Sequence, residues 1–354
     1  MTIKKVALAY SGGLDTSFCI PFISKTYNAE VIAVNVDCTG LNDEAKVALK
    51  ERALMLGAKD CIIVDGTEEM YSDVITYLIK GNVLRDRTYP LCVGAERFIQ
   101  AKKVAEIAES LGCDTVAHGS TGAGNDQIRF DAAIRALAPS VNVLTPIREN
   151  GFQREQMAEL LQKDFGLEFS KASVYSINEG IWGVTIGGGN TVKGGSALPL
   201  EAFPNLKPPH ELNDEPETIS IQFENGLPVA LNGKTFDNPF DLLIEIKQIG
   251  IKHGIGGGLH TGDTILGFKG RIGFEAPVAA LLYAAHRELE KIILSKHERL
   301  LKDQLSDQLG LLWHEALYFD PAVKAIQAFI DTTQTRIHGT VELYVYRGNL
   351  YPIS

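Results

Sequence analysis

The chain has 354 residues, 45% hydrophobic and 22% charged, with 44 acidic against 34 basic side chains and a net charge of −10. That length leaves room for two domains and a large core, while the acidic balance argues against nucleic-acid or anionic-membrane partners, except through a local basic site. No apolar run is long enough for a membrane span, and the one after Met1-Thr2-Ile3-Lys4-Lys5 is too short for a signal peptide.

In chain order, Val6 to Tyr10 reads as a buried strand, followed by a helix over Thr16 to Lys25 with Pro21 as a flaw in its pattern. Glu30 to Asp37 is a strand, Glu44 to Leu56 a helix stopped at Gly57, Asp60 to Val64 a strand, and Glu68 to Lys80 a helix. Ala95 to Leu111 is a helix with Lys102, Lys103, Glu106 and Glu109 on its polar side. Thr115 to His118 and Val141 to Leu144 are strands on either side of a helix that ends near Ala136. Strands separated by helices of this length predict an α/β, doubly wound parallel sheet. Past about Gln153 the texture becomes α+β. Gly187-Gly188-Gly189 and Gly194-Gly195 read as loop, followed by a proline-rich run from Pro204 to Pro216. Thr218 to Phe223 and Pro228 to Asn232 flank the hairpin signal Asn225-Gly226. Pro239 to Ile249 and Pro277 to Gln308 are helical, and Ile337 to Tyr346 with Asn349 to Ile353 form a closing strand pair. The expected domains are 1–165 and 166–354. Cys19, Cys38, Cys61, Cys92 and Cys113 contain no C-x-x-C pair, which argues against a zinc cluster and a secreted disulfide framework. Buried thiols in a reducing cytoplasm fit better.

In a doubly wound sheet, ligands bind at the carboxyl ends of the strands, which singles out the loops after Tyr10, Asp37 and His118. The first is Tyr10-Ser11-Gly12-Gly13-Leu14-Asp15-Thr16-Ser17. Its glycines let a ligand approach bare backbone where a helix opens, so it is an anion site. It lacks both G-x-x-x-x-G-K-[ST] and G-x-G-x-x-G. The Ser11, Thr16 and Ser17 hydroxyls suit a pyrophosphate that leaves intact. Asp15 reads in two ways: as a cap on the helix N–H groups, or as a carboxylate reaching a nucleotide through Mg²⁺. The third loop, His118-Gly119-Ser120-Thr121-Gly122-Ala123-Gly124-Asn125-Asp126-Gln127-Ile128-Arg129-Phe130, sets three glycines among polar groups. Asn125 and Asp126 can receive an amine or amide there, and Arg129 can clamp a carboxylate. His118 and Trp182 read more readily as packing or anchoring residues than as catalysts. His253, His260 and His286 are too scattered for a metal site, and no metal ligand set or general acid or base is assigned.

Ser11-Gly12-Gly13-Leu14-Asp15-Thr16-Ser17 after an apolar strand resembles the pyrophosphate loop of the N-type ATP pyrophosphatases. The loop from His118 to Phe130 is similar to the aspartate and citrulline loop of the argininosuccinate synthase family. Tyr175-Ser176-Ile177-Asn178-Glu179-Gly180-Ile181-Trp182-Gly183 resembles that family's next substrate segment. Tyr89-Pro90-Leu91, Thr145-Pro146-Ile147-Arg148-Glu149, Gly267-Phe268-Lys269-Gly270-Arg271 and Gly339 to Ile353 agree in order, so the resemblance spans nearly the whole chain.

The resemblance implies an ATP-dependent ligase with Mg²⁺. It joins citrulline and aspartate through a citrullyl-adenylate and works in the cytoplasm without nucleic-acid or membrane partners. It implies nucleotide contacts at Ala9, Tyr10, Ser11, Gly12, Gly13, Leu14, Asp15, Thr16, Ser17, Val36 and Gly119. Aspartate contacts fall at Thr121, Asn125 and Asp126, and citrulline contacts at Tyr89, Asn125, Arg129, Ser176 and Thr185, with Asp15 and Asp126 as positioning groups. The chain also departs from the family pattern. A Ser or Thr of the citrulline site falls at Gly94, a loop Lys at Ala123, a Glu that binds the citrulline amino group at about Gly262, and a Tyr at Phe274. Two acceptors therefore remain open: citrulline held differently, with Asp263 or Glu275 as replacement carboxylate, or a ureido acceptor whose amine is masked. The family is a homo-oligomer, a tetramer held partly by a C-terminal helical arm, and that arm has no counterpart before Ser354.

Overall fold

Val6, Ala7 and Leu8 carry no polar alternation, so the strand they form has to be covered on both faces, and all three are fully buried. In the computed structural model, which describes residues 3–122, 124–169 and 175–354, this strand is β1 (Lys5–Ala9). It is followed by α1 (Leu14–Tyr27), β2 (Glu30–Asp37), α2 (Asp43–Met55) and β3 (Asp60–Asp65). The helix expected over 68–80 is three pieces instead: α3 (Thr67–Glu69), a π-helical stretch Met70–Ile75, and α4 (Thr76–Gly81). Next come α5 (Glu96–Ser110), β4 (Thr115–His118), α6 (Asp126–Leu137), β5 (Asn142–Leu144), α7 (Pro146–Asn150) and α8 (Arg154–Phe165). The remainder is β6 (Tyr175–Glu179), β7 (Val184–Gly188), β8 (Glu217–Glu224), β9 (Leu227–Leu231), β10 (Lys234–Thr235), α9 (Pro239–Lys252), β11 (Gly257–Asp263), β12 (Lys269–Glu275), α10 (Pro277–Ile293), α11 (Lys296–His314), α12 (Pro321–Gln334), β13 (Gly339–Tyr346) and β14 (Asn349–Pro352).

The described residues form two units. One gathers those of Met1–Glu68, Glu96–Val174 and Thr264–Leu266, and the other Glu69–Ala95, Tyr175–Asp263 and Gly267–Ser354. The first unit is built on a five-stranded sheet in the order β3-β2-β1-β4-β5, with every neighbouring pair parallel. Its core gathers Leu8, Phe18, Ile20, Val31, Ala117 and Met157. Pro21 lies inside α1, where the missing N–H leaves the Ser17 carbonyl without its helical donor. Aromatic rings pack beside that gap: Phe18 and Phe22 lie 4.9 and 5.1 Å from the Phe152 ring. The five thiols are buried.

The second unit carries two antiparallel sheets, β10-β9-β8-β13-β14 and β11-β12-β7-β6, with helices. Asn225-Gly226 turns as expected, with φ of +50° and +75°, the left-handed pair that a tight hairpin needs. Two expectations fail. Gly187 and Gly188, read as loop, lie in β7, because β6 supplies the partner strand that glycine propensity alone disfavours. The helix read from Pro277 to Gln308 breaks at Leu294 and Ser295. There Ser295 Oγ accepts from the Glu298 N–H and the Glu298 carboxylate accepts from the Ser295 N–H, a capping box that opens α11.

At the centre of this unit, Glu290 is buried and accepts from Lys302 Nζ at 3.0 Å, Asn82 Nδ2 at 2.9 Å and Gln334 Nε2 at 2.7 Å. Lys302 also donates to the Lys80 carbonyl. His286 sits between the side-chain oxygens of Asn82 and Gln334, and burial lowers its pKa to about 4. The same surroundings hold the chain that leaves α4. Tyr283 Oη donates to the Val83 carbonyl, Trp182 Nε1 to that of Pro90 and Tyr318 Oη to that of Gly94. Trp182 is thus the loop anchor the sequence suggested. Removing one member of a buried pair strands the other charge at a cost of about 3–5 kcal/mol. Lys302→Met should therefore lower the unfolding free energy by about that much, and Lys302→Met/Glu290→Gln should recover most of it. Denaturant midpoints measure both. A Lys302→Met protein as stable as wild type would contradict the assignment.

Candidate active site

The chain leaves β1 toward β2 on one side, while β4 lies on the other. Loops after β1 and β4 therefore diverge at a topological switch point, where open α/β sheets leave a crevice for ligands. Gly119 shows how close these loops come. A Cβ on it would lie 3.2 Å from Thr16 Cγ2 and 3.3 Å from the backbone of Asp15 and Thr16. A side chain there would push the two chains apart by a few tenths of an ångström.

Internal bonds hold the loop after β1 open. Thr16 Oγ1 accepts from the Ser11 N–H at 3.2 Å, Ser11 Oγ lies 3.1 Å from it, and Arg52 donates to the Gly12 carbonyl at 2.8 Å. Asn35 Nδ2 takes the Tyr10 carbonyl. Gly12 has φ +75°, and a Cβ there would strike Leu49 at 2.3 Å, whereas Gly13 is extended with only Ser11 Oγ near, at 3.5 Å. The N–H groups of Leu14, Asp15 and Thr16 open α1 and have no carbonyl of their own helix to bond. Asp15 does not cap them with its side chain. It faces Arg154 at 3.5 Å, and burial raises its pKa against that guanidinium. Ser17 is fully buried, its N–H bonded to the Gly13 carbonyl. Ala9 is half-buried, Leu14 is buried, and Val36 is buried at the carboxyl end of β2. After β2, Asp37 accepts from the N–H groups of Thr39, Gly40 and Leu41 and pins the second loop.

The loop after β4 is braced from beneath. Gln127 Nε2 donates to the carbonyls of Gly122 and Gly124, and Gln127 Oε1 accepts from Arg148. Arg148 also reaches Asp131, which accepts from His118 Nε2 at 2.9 Å. The Ser120 N–H points at His118 Nδ1, so the ring proton sits on Nε2 and His118 acts as a structural brace. Asn125 precedes α6 and its Oδ1 accepts from the Ile265 N–H. Asp126 accepts from Arg97 at 3.0 Å and from Arg129 at 2.8 Å. Burial pushes its pKa up, but the two guanidiniums outweigh burial and hold it at about 2. Glu96, buried against Arg97 at 3.2 Å, is raised by burial to about 7. Thr121 is exposed on the loop, and Ala123 lies outside the described residues.

In the second unit, strand register gathers the remaining candidates. Gly258, Phe274, Thr185 and Asn178 stand directly opposite one another across β11, β12, β7 and β6. Directly opposed residues share a face, as do residues two apart on one strand. Ser176, Thr185, Phe274, His260 and Gly262 therefore line one face. Tyr89 packs there too, stacked on His260 at 5.3 Å and edge-on to Phe274 at 5.5 Å. The two carboxylates expected as replacements are committed elsewhere. Asp263 pairs with Lys269 at 2.7 Å, and Glu275 accepts from the N–H of Asn205 and Leu206 and from Asn205 Nδ2. Gly94 is buried, its carbonyl taken by Tyr318.

Sequence reasoning missed Glu96, Arg97 and Arg154, which come to these loops from α5 and α8, and it quoted Arg148 of α7 in a motif without giving it a role. Gln127 stood in a quoted motif without a role. No spacing rule links them to the loops, because only folding brings them there.

Two family models cover the chain: the arginosuccinate synthase N-terminal HUP domain over residues 5–165 and the arginosuccinate synthase C-terminal domain over 175–353. An argininosuccinate synthase of Caldanaerobacter subterraneus is 37% identical over 349 residues, covering 98% of this chain and 84% of the relative. One of Symbiobacterium thermophilum is 37% identical over 355 residues, covering 100% and 88%. One of Crocosphaera subtropica is 38% identical over 349 residues, covering 98% and 86%. With both family domains matched in order and relatives of this identity over nearly its whole length, the chain belongs to the argininosuccinate synthase family.

Proposed function

We infer that this protein is an argininosuccinate synthase, an ATP-dependent ligase that joins citrulline and aspartate and releases AMP and pyrophosphate in arginine biosynthesis. The observation that carries the reading is the meeting of Gly119 with the opening of α1, which brings an anion loop and an amine-receiving loop together. In the first step the citrulline ureido oxygen attacks the α-phosphorus of ATP and pyrophosphate leaves. In the second, the aspartate amine attacks the ureido carbon of the citrullyl-adenylate and AMP leaves.

The reading gives the pyrophosphate to the backbone of Ser11 to Thr16, where N–H groups and the helix dipole stabilise the departing charge. Ala9, Tyr10, Ser17 and Gly119 frame the nucleotide, and Val36 offers its backbone to the adenine. Thr121, Asn125 and Asp126 receive aspartate. Asp126 stays ionised across the working pH range and so offers a carboxylate to the amine. Tyr89, Ser176 and Thr185, with Asn125 and Arg129, hold citrulline. No strong base is required, because fixing the reactants in line is worth about 7–11 kcal/mol in favourable cases.

Among the described residues, no cluster of three or more His, Cys, Asp or Glu side chains could hold a metal. Mg²⁺ binds through substrate phosphates and one or two carboxylates. Here Asp15, partly exposed at the loop, is the carboxylate that would hold it, and the ion would neutralise phosphate charge. No helix among the described residues is long and apolar enough to cross a membrane, and the reading places the enzyme in the cytoplasm.

Two substitutions test the assignment. Gly13→Val fits the extended backbone, so it should abolish ATP binding in calorimetry while leaving the thermal transition unchanged. Gly12→Val, the more obvious choice, would disturb the fold through Leu49 and the positive φ. Unchanged ATP affinity in Gly13→Val would remove the pyrophosphate loop. Asp126→Asn should raise the aspartate KM by roughly 10- to 100-fold, the value of a hydrogen bond to a charged group, while pyrophosphate release from ATP and citrulline persists. Wild-type aspartate kinetics would remove the amine contact.

A further inference from the structure

We propose that Asp86, beside His260, binds the α-ammonium group of the amino-acid acceptor on the face formed by β11, β12, β7 and β6. The inference rests on the ligase reading above and specifies how that site selects its acceptor.

Three observations converge on Asp86. The first is position. A Cβ on Gly262 would lie 2.6 Å from His260 Nε2 and 3.0 Å from Asp86 Oδ2. The Asp86 carboxylate therefore reaches over the bare backbone of β11, on the face that carries Ser176, Thr185, Phe274 and the stacked Tyr89 ring. The second is the turn that puts it there. Asp86 and Arg87 have φ of +50° and +57°. The Thr88 N–H returns to the Arg85 carbonyl at 3.1 Å, and Arg85 and Tyr89 exchange backbone bonds at 2.7 and 3.0 Å. Two consecutive left-handed residues make a turn that ordinarily takes Asn or Gly. Strain of this kind persists only where surroundings over-determine it and concentrates at binding sites. Leu91 and Cys92, just beyond Tyr89, also have positive φ.

The third is the state of the neighbouring carboxylates. Glu275 is fully occupied by Asn205 and Leu206, Asp263 pairs with Lys269, and Glu179 pairs with Lys247. Asp86 is half-exposed. Its Oδ1 takes Arg85, and Oδ2 faces His260 at 3.8 Å. A carboxylate oxygen has lone pairs for further donors, and an ammonium brings three. Burial lowers the His260 pKa against the pull of Asp86, so the ring adds no cation to compete with the ligand. The face supplies hydroxyls, an aromatic wall and a carboxylate whose Oδ2 is turned toward it, which is what a zwitterionic amino acid needs at its amino end.

Steady-state kinetics of the full chain at saturating ATP and aspartate decide the matter, with citrulline and 5-ureidopentanoate, which is citrulline without its α-amine, as rival acceptors. Asp86→Asn is the clean variant because Asn is isosteric and tolerates the left-handed backbone. Its citrulline KM should rise roughly 10- to 100-fold, with aspartate and ATP KM and the kcat/KM for 5-ureidopentanoate unchanged. Wild type should favour citrulline, and Asp86→Asn should lose that preference. Asp86→Glu should regain part of it. An equal loss on both acceptors, or an unmoved citrulline KM in an active Asp86→Asn protein, overturns the inference alone. A wild-type protein that turns over neither acceptor overturns the ligase reading and this inference with it.

Discussion

The second unit depends on keeping one ion pair dry. Glu290 and Lys302 are removed from water, and further partners hold each of them there: Asn82 and Gln334 on the carboxylate and the Lys80 carbonyl on the ammonium. Two of those partners, Lys80 and Asn82, lie at the C-terminal end of α4. The network therefore also fixes where residues 80–94 begin their path, and Tyr283, Trp182 and Tyr318 each take a carbonyl further along it. A segment with five left-handed non-glycine residues, Asn82, Asp86, Arg87, Leu91 and Cys92, holds its shape only under such restraint. Stability in the core and the aim of Tyr89 on the sheet face thus have a common cause.

The first unit solves a different problem, which is how to present bare backbone to a highly charged group without collapsing onto it. The loop after β1 spends its own polar atoms on itself, through Ser11, Thr16 and the Arg52 guanidinium on Gly12, and leaves the opening N–H groups of α1 facing outward. The loop after β4 is supported by Gln127, which is oriented by Arg148, which is in turn held by Asp131 and His118. Acid–base catalysis has no evident owner in this arrangement. The groups that could titrate usefully are tied into braces, as a ligase that works by alignment and charge stabilisation allows.

Charge around Asp126 is balanced in the same spirit. Two guanidiniums keep its carboxylate ionised, and Glu96 behind Arg97 offsets the excess positive charge while itself being pushed toward neutrality by burial. The Asp126 carboxylate is thereby fixed in both orientation and protonation state.

The sequence by itself determined the parallel sheet, its order of strands and helices along the chain, the two glycine loops at strand ends and the Asn225-Gly226 hairpin. All of these are local: apolar runs, turn chemistry and helix stops are written within ten or fifteen residues. It also carried the family, because the Gly124-Asn125-Asp126-Gln127 loop is a contiguous string. Pairing decided the rest. The glycine-rich strands β7 and β11 have poor intrinsic preference for extended structure and become strands only because partners bond them. The face that gathers Ser176, Thr185, His260, Gly262 and Phe274 is built by that register; the resemblance had grouped all of these but His260, and no local pattern showed how they would meet. The same holds for Asp86, whose carboxylate and Gly262 are far apart in sequence and meet because a strained turn and a glycine leave each other room. Contacts of that kind are set by long-range packing, and no local pattern encodes them.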